Sequence, residues 1–268
     1  GQPRNRFAAA VHNVFGHDGT PPAALLANGR AELRRYPTAT VIAGAVIEAG
    51  ADADGFSLVL ADGRTLQART LILAGGVRDV LPPLKGLQAR WGRSVLHCPY
   101  CHGFEVAGHA LGVFAGDAMG LHRALTLPDW GPTTCFLENG FEPEADDARK
   151  LANRGVTLER TPVVELLGDA PALDGVYLAD GRRIAIDALF VASRVEPVDG
   201  LAGTLGCVQD MGPLGPYLRV DAFKQTTVRN VFAAGDLAQP MHSVPLAVTS
   251  GLLAGVGAHQ ALIAADAG

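Results

Sequence analysis

Between residues 110 and 154 the chain alternates strand-like with helix-like runs, and nothing else in the sequence narrows the fold as far. Residues 110–115 form an apolar run suited to a buried strand, 118–127 a helix, 134–137 a second strand and 143–154 a second helix. A strand gains a parallel neighbour only through a long crossover, so this order predicts βαβ units and a parallel sheet. The 33 glycines and the aromatic content of 6 % suit that class, in which glycine-rich turns join buried strands to helices. At 268 residues the chain is long enough for two domains with sizeable cores.

Pro21 and Pro22 open a helix predicted through about residue 35, because proline is tolerated in a first turn whose N–H groups have no partner. Strands are expected at 40–48, 56–60 and 69–74, with Asp62-Gly63 as a hairpin turn and Gly75-Gly76 ending the last of them. Residues 81–92, with their prolines and glycines, read as a linker. Farther on, short strands near 157–159, 163–167, 175–178 and 183–191 surround a second turn at Asp180-Gly181. The two turns belong to a repeat: Leu60-Ala61-Asp62-Gly63-Arg64 returns as Leu178-Ala179-Asp180-Gly181-Arg182, each copy ahead of an apolar strand. Either two Asp-Gly turns coincide, or one domain plan, a three-stranded appendage over a parallel sheet, occurs twice. Residues 245–265 carry no Asp, Glu, Lys or Arg. The run nears the ~20 apolar residues that span a bilayer. Thr249, Ser250, His259 and Gln260 interrupt it, so a buried core helix is the expectation and no membrane partner is assigned.

A net charge of −5 suggests no nucleic-acid partner and no anionic membrane surface. Of the four cysteines, Cys135 and Cys207 are isolated, which is not the dense pattern of a secreted disulfide scaffold; a cytoplasmic location is the default. The other two lie in His97-Cys98-Pro99-Tyr100-Cys101-His102, the strongest chemical signal in the chain. Two cysteines separated by two residues can close a small disulfide ring, and the thiolate of such a pair is the attacking species. Flanking imidazoles such as His102 can stabilise that thiolate or carry its proton. The competing readings are a structural zinc site, for which four ligands are normal and no second Cys-x-x-Cys exists, and two inert buried thiols. No metal is assigned.

A second signal is Val231-Phe232-Ala233-Ala234-Gly235-Asp236. An apolar strand ends in a glycine that lets backbone approach a ligand closely, followed by a carboxylate able to hold a hydroxyl. Ser243-Val244-Pro245 then reads as a helix start with Ser243 as cap, a place that favours negative charge. A strand-end turn without a ligand would look similar.

Together these features resemble the thioredoxin reductase family of FAD-dependent pyridine nucleotide-disulfide oxidoreductases. The resemblance implies an α/β chain of two Rossmann-like, FAD- and NAD(P)-binding domains, the second inserted in the first. The expected FAD domain is residues 1–90 plus 198–268, and the expected redox-pair domain is 91–197. Implied flavin-site positions are Asn5, Asn13, Val46, Ala74, Gly75, Gly235, Asp236, Ser243 and Val244. The second cysteine, Cys101, would face the flavin, and Cys98 would exchange with substrate; catalysis is assigned to Cys98, Cys101 and His102. Two departures stand out. The family's opening strand and G-x-G-x-x-G turn have no counterpart, and residues 1–5 resemble the stretch just after them, so a truncated N-terminus is expected. In the second domain the G-x-G-x-x-A/G turn becomes Ala115-Gly116-Asp117-Ala118-Met119-Gly120, which sets a carboxylate where pyrophosphate would approach, and residues 138–147 are acidic where NADPH needs basic side chains. FAD is therefore the expected cofactor and NADPH is not expected.

A third departure is His102, which stands where the family carries Asp; the pattern resembles the branch of dithiol oxidases and thioredoxin reductase-like proteins. The expected function is a thiol–disulfide oxidoreductase passing electrons between a dithiol or disulfide substrate, Cys98–Cys101 and flavin. Expected partners are a small dithiol or a thioredoxin-like protein, oxygen or a ferredoxin-like electron partner, and a second copy of the chain as a homodimer. The alternatives are an NADPH- or ferredoxin-dependent thioredoxin reductase and, in a different class, a non-catalytic flavin-binding redox sensor.

Overall fold

A computed structural model describes residues 2–52 and 54–268. Gly1, the first residue of the stretch expected to follow a glycine turn, lies outside them. In chain order the first elements are α1 (Pro22–Leu33), β1 (Val46–Asp52), β2 (Gly55–Leu60), β3 (Thr65–Ala68), β4 (Leu71–Leu73) and β5 (Val77–Val80). Then come β6 (Val95–Leu96), α2 (Pro99–His102), β7 (Leu111–Ala115), α3 (Ala118–Thr126), β8 (Thr133–Leu137), α4 (Ala145–Asn153) and β9 (Thr157–Glu159). A hairpin sheet follows, β10 (Val163–Leu167), β11 (Gly175–Leu178) and β12 (Arg183–Ile184), and then β13 (Ala188–Phe190). The chain closes with β14 (Arg194–Pro197), α5 (Leu201–Thr204), β15 (Gln209–Met211), β16 (Pro216–Leu218), β17 (Val231–Ala233) and α6 (Val244–Ala267).

Packing separates two units. One gathers Ala23–Val80 and Arg194–Gly268 with the stretch ending at Arg4; the other gathers Asn5–Pro22 and Leu81–Ser193. The second is built on a five-stranded sheet in the order β6-β13-β7-β8-β9, parallel throughout. Side chains alternate across it as strand geometry requires. Leu111, Val113 and Ala115 of β7 pack with Leu121, Ala124 and Leu151 of the helices. Phe114 and Phe136, from the other face, pack with Leu166, Val176 and Leu178 of the hairpin sheet. In the first unit β4 and β17 pair in parallel from Leu71↔Val231 to Leu73↔Ala233, so both strands end at one edge.

The repeat is a structural repeat. Leu60 N–H donates to Arg64 O at 2.9 Å and Leu178 N–H to Arg182 O at 2.9 Å, while the Asp62 and Asp180 carboxylates accept from the backbone N–H groups of Arg64 and Arg182. Each turn joins the second and third strands of a three-stranded antiparallel sheet.

Three expectations need correction. Residues 40–45 form no strand, because the pairing with β2 begins only at Val46↔Leu60. Residues 81–92 are no free linker: Leu87 is buried, and the buried Arg90 guanidinium donates to the carbonyls of Gly86, Gly168 and Ala172. Those bonds fasten the segment into the second unit. Finally, α6 is not a core helix. Only the stripe Ser250, Ala254, Gly257 and Ala258 is buried, while Val248, Leu252, Val256 and Ile263 are exposed. The stripe is small because the helix lies close: a Cβ on Gly257 would meet Phe223 O at 2.5 Å. By length and composition α6 is also apolar enough to cross a membrane.

Candidate active site

In the second unit Cys98 precedes α2 in extended conformation, and Pro99, whose missing N–H fits a helix start, begins that short turn. The turn brings Cys101 back onto Cys98, and the two form a disulfide with Cα atoms 5.3 Å apart, within the span such a bridge needs. Among the described residues there is no group of three or more His, Cys, Asp or Glu that could hold a metal ion. Cys135 and Cys207 are free and buried; burial pushes the Cys135 thiol up to about 12, far from reactivity.

Next to the disulfide is a cavity of about 310 Å³ lined by His12, Asn13, Asp18, Pro99, Tyr100, Cys101, Phe104 and Trp130. The stretch Val11–Asp18 forms one wall. Asn13 sits in left-handed conformation, φ 59°, and its side-chain amide donates to Tyr100 O at 2.8 Å. His12 places Nε2 3.0 Å from Glu105 Oε1 and Nδ1 3.4 Å from Asp18 Oδ2, with its ring against Phe104. Burial opposes charge on His12, but Glu105 and Asp18 together outweigh it and raise its pKa. For His102 burial wins over the pull of Glu105, so its pKa is lowered and the ring is neutral near pH 7.

The turn after β7 shows what Asp117 does. Its Oδ1 accepts from Gly120 N–H at 2.8 Å, so the carboxylate caps the N-terminus of α3. Gly120 retains the close-packing duty of the last glycine in a nucleotide turn: a Cβ there would meet Ala115 Cα at 2.6 Å. Beside it Glu138 turns its side chain toward Gly116, and burial, then Asp117, raise its carboxyl pKa.

In the first unit Ala74-Gly75 and Ala234-Gly235 follow the ends of β4 and β17, joined by Ala234 N–H donating to Leu73 O at 2.9 Å. Gly235 is left-handed, φ 72°, with open space where a Cβ would stand. Asp236 is largely buried, 3.9 Å from Arg4, whose guanidinium also grips Asp79. Arg4 Nη1 donates to His242 Nδ1 at 2.8 Å, so the ring carries its proton on Nε2, which donates to Gln239 O. Burial raises Asp236 and lowers His242, pushing both toward neutral forms. Ser243 caps α6 through Leu246 N–H, and Val244 is its first residue. Val46 opens β1 in the same unit, whereas Asn5 and Asn13 belong to the second. His12, Asp18, Glu105 and Arg4 also stand at these sites. Their contacts join residues up to 238 positions apart, as in Arg4 with His242, and no local pattern announces them.

This disposition has close parallels. Residues 13–251 match the family described as pyridine nucleotide-disulphide oxidoreductase. The chain is 34 % identical over 276 residues to a protein named thioredoxin reductase tcpT from Claviceps purpurea, covering 98 % of this chain and 85 % of that one. An oxidoreductase from Agrobacterium tumefaciens superposes with a TM-score of 0.93 at 43 % identity, over 98 % of this chain and 88 % of its own. The crystal structure of HlmI does so with a TM-score of 0.89 at 34 % identity, over 100 % and 84 %. The chain belongs to the pyridine nucleotide-disulphide oxidoreductase family. Within it the chain is a thioredoxin reductase-like enzyme of two-domain Rossmann type, an oxidoreductase acting on sulfur groups, for which FAD is the expected cofactor.

The residues present fit that cofactor in part. Two parallel strand ends, the open left-handed turn at Gly235, the half-buried Asp236 and the capped start of α6 offer backbone approach, a hydroxyl partner and a site favouring negative charge. No G-x-G-x-x-G run occurs in the 268 residues.

Proposed function

We propose that the enzyme oxidises dithiols through Cys98–Cys101 and a flavin without drawing on NADPH. The observation that carries this reading is the Asp117 carboxylate on Gly120 N–H at the head of α3. A pyrophosphate is bound where helix N–H groups are free and the dipole end is unneutralised. Here the chain's own anion takes that place, and Glu138 stands beside it.

The substrate thiolate attacks Cys98 Sγ, the S–S bond breaks, and Cys101 leaves as thiolate. The second substrate thiol, deprotonated, attacks the mixed disulfide and releases Cys98; the substrate departs as a disulfide and the cysteine pair holds two electrons. Neutral His102, adjacent to Cys101, supplies a ring nitrogen to accept a thiol proton. Bound FAD would take that electron pair and pass it to oxygen. Gly235, Asp236, Ser243 and Val244 hold the cofactor in this reading, with Ala74 and Gly75 beside them. The homologues named thioredoxin reductase support a thiol or disulfide substrate. The exposed row Val248, Leu252, Val256 and Ile263 on α6 supports a homodimer, testable by sedimentation of a Leu252→Glu variant.

The deciding measurement is anaerobic spectrophotometry of the flavin-loaded protein. A small dithiol should bleach the flavin band while NADPH leaves it unchanged; rapid bleaching by micromolar NADPH would overturn the proposal.

A further inference from the structure

We propose that His12 is a positioning residue for the cysteine pair: its imidazolium, clamped between Asp18 and Glu105, sets a fixed positive charge in the cavity where the Cys101 thiolate forms. The geometry demands the charged ring. Carboxylates accept only, and one faces each nitrogen, Glu105 at 3.0 Å and Asp18 at 3.4 Å. Both nitrogens must then carry protons, which is the imidazolium form. The raised pKa of His12 agrees.

His12 and Cys101 line the same cavity, and His12 is fastened from both sides of it. Asp18 belongs to its own wall; Glu105 follows the Cys98–Cys101 turn and belongs to the other, where the Asn13 amide also holds Tyr100 O. The titratable groups around the cysteine pair are His12, Asp18, His97, Tyr100, His102 and Glu105, the His97 ring lying 5.8 Å from that of His102. Of these, His12 is the ring held between two carboxylates; it supplies the positive charge, and the two carboxylates oppose it. A thiol that leaves as thiolate departs faster when its pKa is lower, and a nearby cation lowers it. Attack on Cys98 breaks the S–S bond and sends the electron pair to Cys101 Sγ, so His12 acts at the atom where charge appears. The two imidazoles then divide the work: His102 takes a proton, and His12 keeps its own and acts through its charge.

This rests on the cysteine order given under the proposed function, and the test reads the thiol itself. In the full chain carrying Cys98→Ser, the rate of Cys101 alkylation is followed against pH by peptide mass spectrometry; buried Cys135 and Cys207 react slowly. His12→Gln leaves two unbalanced carboxylates and should raise the Cys101 pKa by about one pH unit. Asp18→Asn frees the cation of one partner and should lower it, and His12→Arg should restore the original value. Loss of a merely structural clamp would shift His12→Gln and Asp18→Asn in the same direction. Same-sign shifts, or none, overturn the assignment; if His12→Gln does not fold, Asp18→Asn decides alone, a fall in pKa supporting the assignment and a rise or no change overturning it. Dithiol turnover by the unmodified protein is measured in parallel. Opposite shifts without turnover would sink the functional reading and leave the His12 charge standing; turnover without opposite shifts would do the reverse.

Discussion

Two of the helices that follow parallel strands, α3 after β7 and α6 after β17, begin differently. At α3 a carboxylate caps the first turn, Asp117 on Gly120 N–H, with the half-buried Glu138 carboxyl close by. At α6 a neutral hydroxyl does the capping, Ser243 on Leu246 N–H at 3.3 Å, after the open turn at Gly235. Both satisfy an orphan N–H. Only the first also neutralises the positive end of the helix dipole, which is what an incoming phosphate or reduced ring would need. One head is closed by its own anion, and the other is left able to receive one.

The largest effect should come from breaking the open head. Asp236→Ala removes the half-buried carboxylate beside Gly235 and should leave purified protein largely without flavin, read as the ratio of visible to ultraviolet absorbance. Asp117→Ala should keep its flavin. Equal flavin loss in both variants would erase the distinction between the two heads.

A smaller effect separates capping from charge at the closed head. Asp117→Ala should lower unfolding stability by about 1 kcal/mol, the ordinary worth of an N-cap. Asp117→Ser, which keeps a capping oxygen and discards the charge, should recover most of that in urea unfolding. If Ser is no better than Ala, Asp117 is not acting as a cap and does not close the head of α3.

Both heads sit on elements that the sequence announces in unequal measure. The alternation over residues 110–154 is legible because β7, α3, β8 and α4 are local and strongly periodic. The Asp-Gly repeat is legible because the turn chemistry is the same in both copies. The Cys98–Cys101 pair is legible from spacing alone. Other features are set by contacts that no local pattern encodes. Arg90 reads as part of a loop, yet it is buried because three carbonyls, two of them 78 and 82 residues away, surround its guanidinium. His12 finds Glu105 across 93 residues. The long closing helix is apolar on all sides, so composition suggests a core; it does not reveal that only the stripe from Ser250 to Ala258 is covered.

The subtlest test concerns Glu138. Burial, followed by the neighbouring Asp117 charge, raises its carboxyl pKa in the folded chain. A raised folded value means the protonated form is the one the fold favours. Its stabilising contribution is therefore fully present below the unfolded glutamate pKa and is lost as pH rises through the folded value. Glu138→Gln is always neutral and does not suffer that loss. Relative to the unmodified protein, the variant should gain stability as pH rises above the ordinary glutamate range. The gain should shrink in an Asp117→Ala background, where one of the two causes is gone, and no comparable coupling should arise at Ser243, which has no charge to contribute. The side chain is partly solvated, so the effect is screened and smaller than the loss of the cap. A gain that is the same with and without Asp117 would mean that burial alone perturbs Glu138, and that the two carboxylates do not form one anionic block over the head of α3.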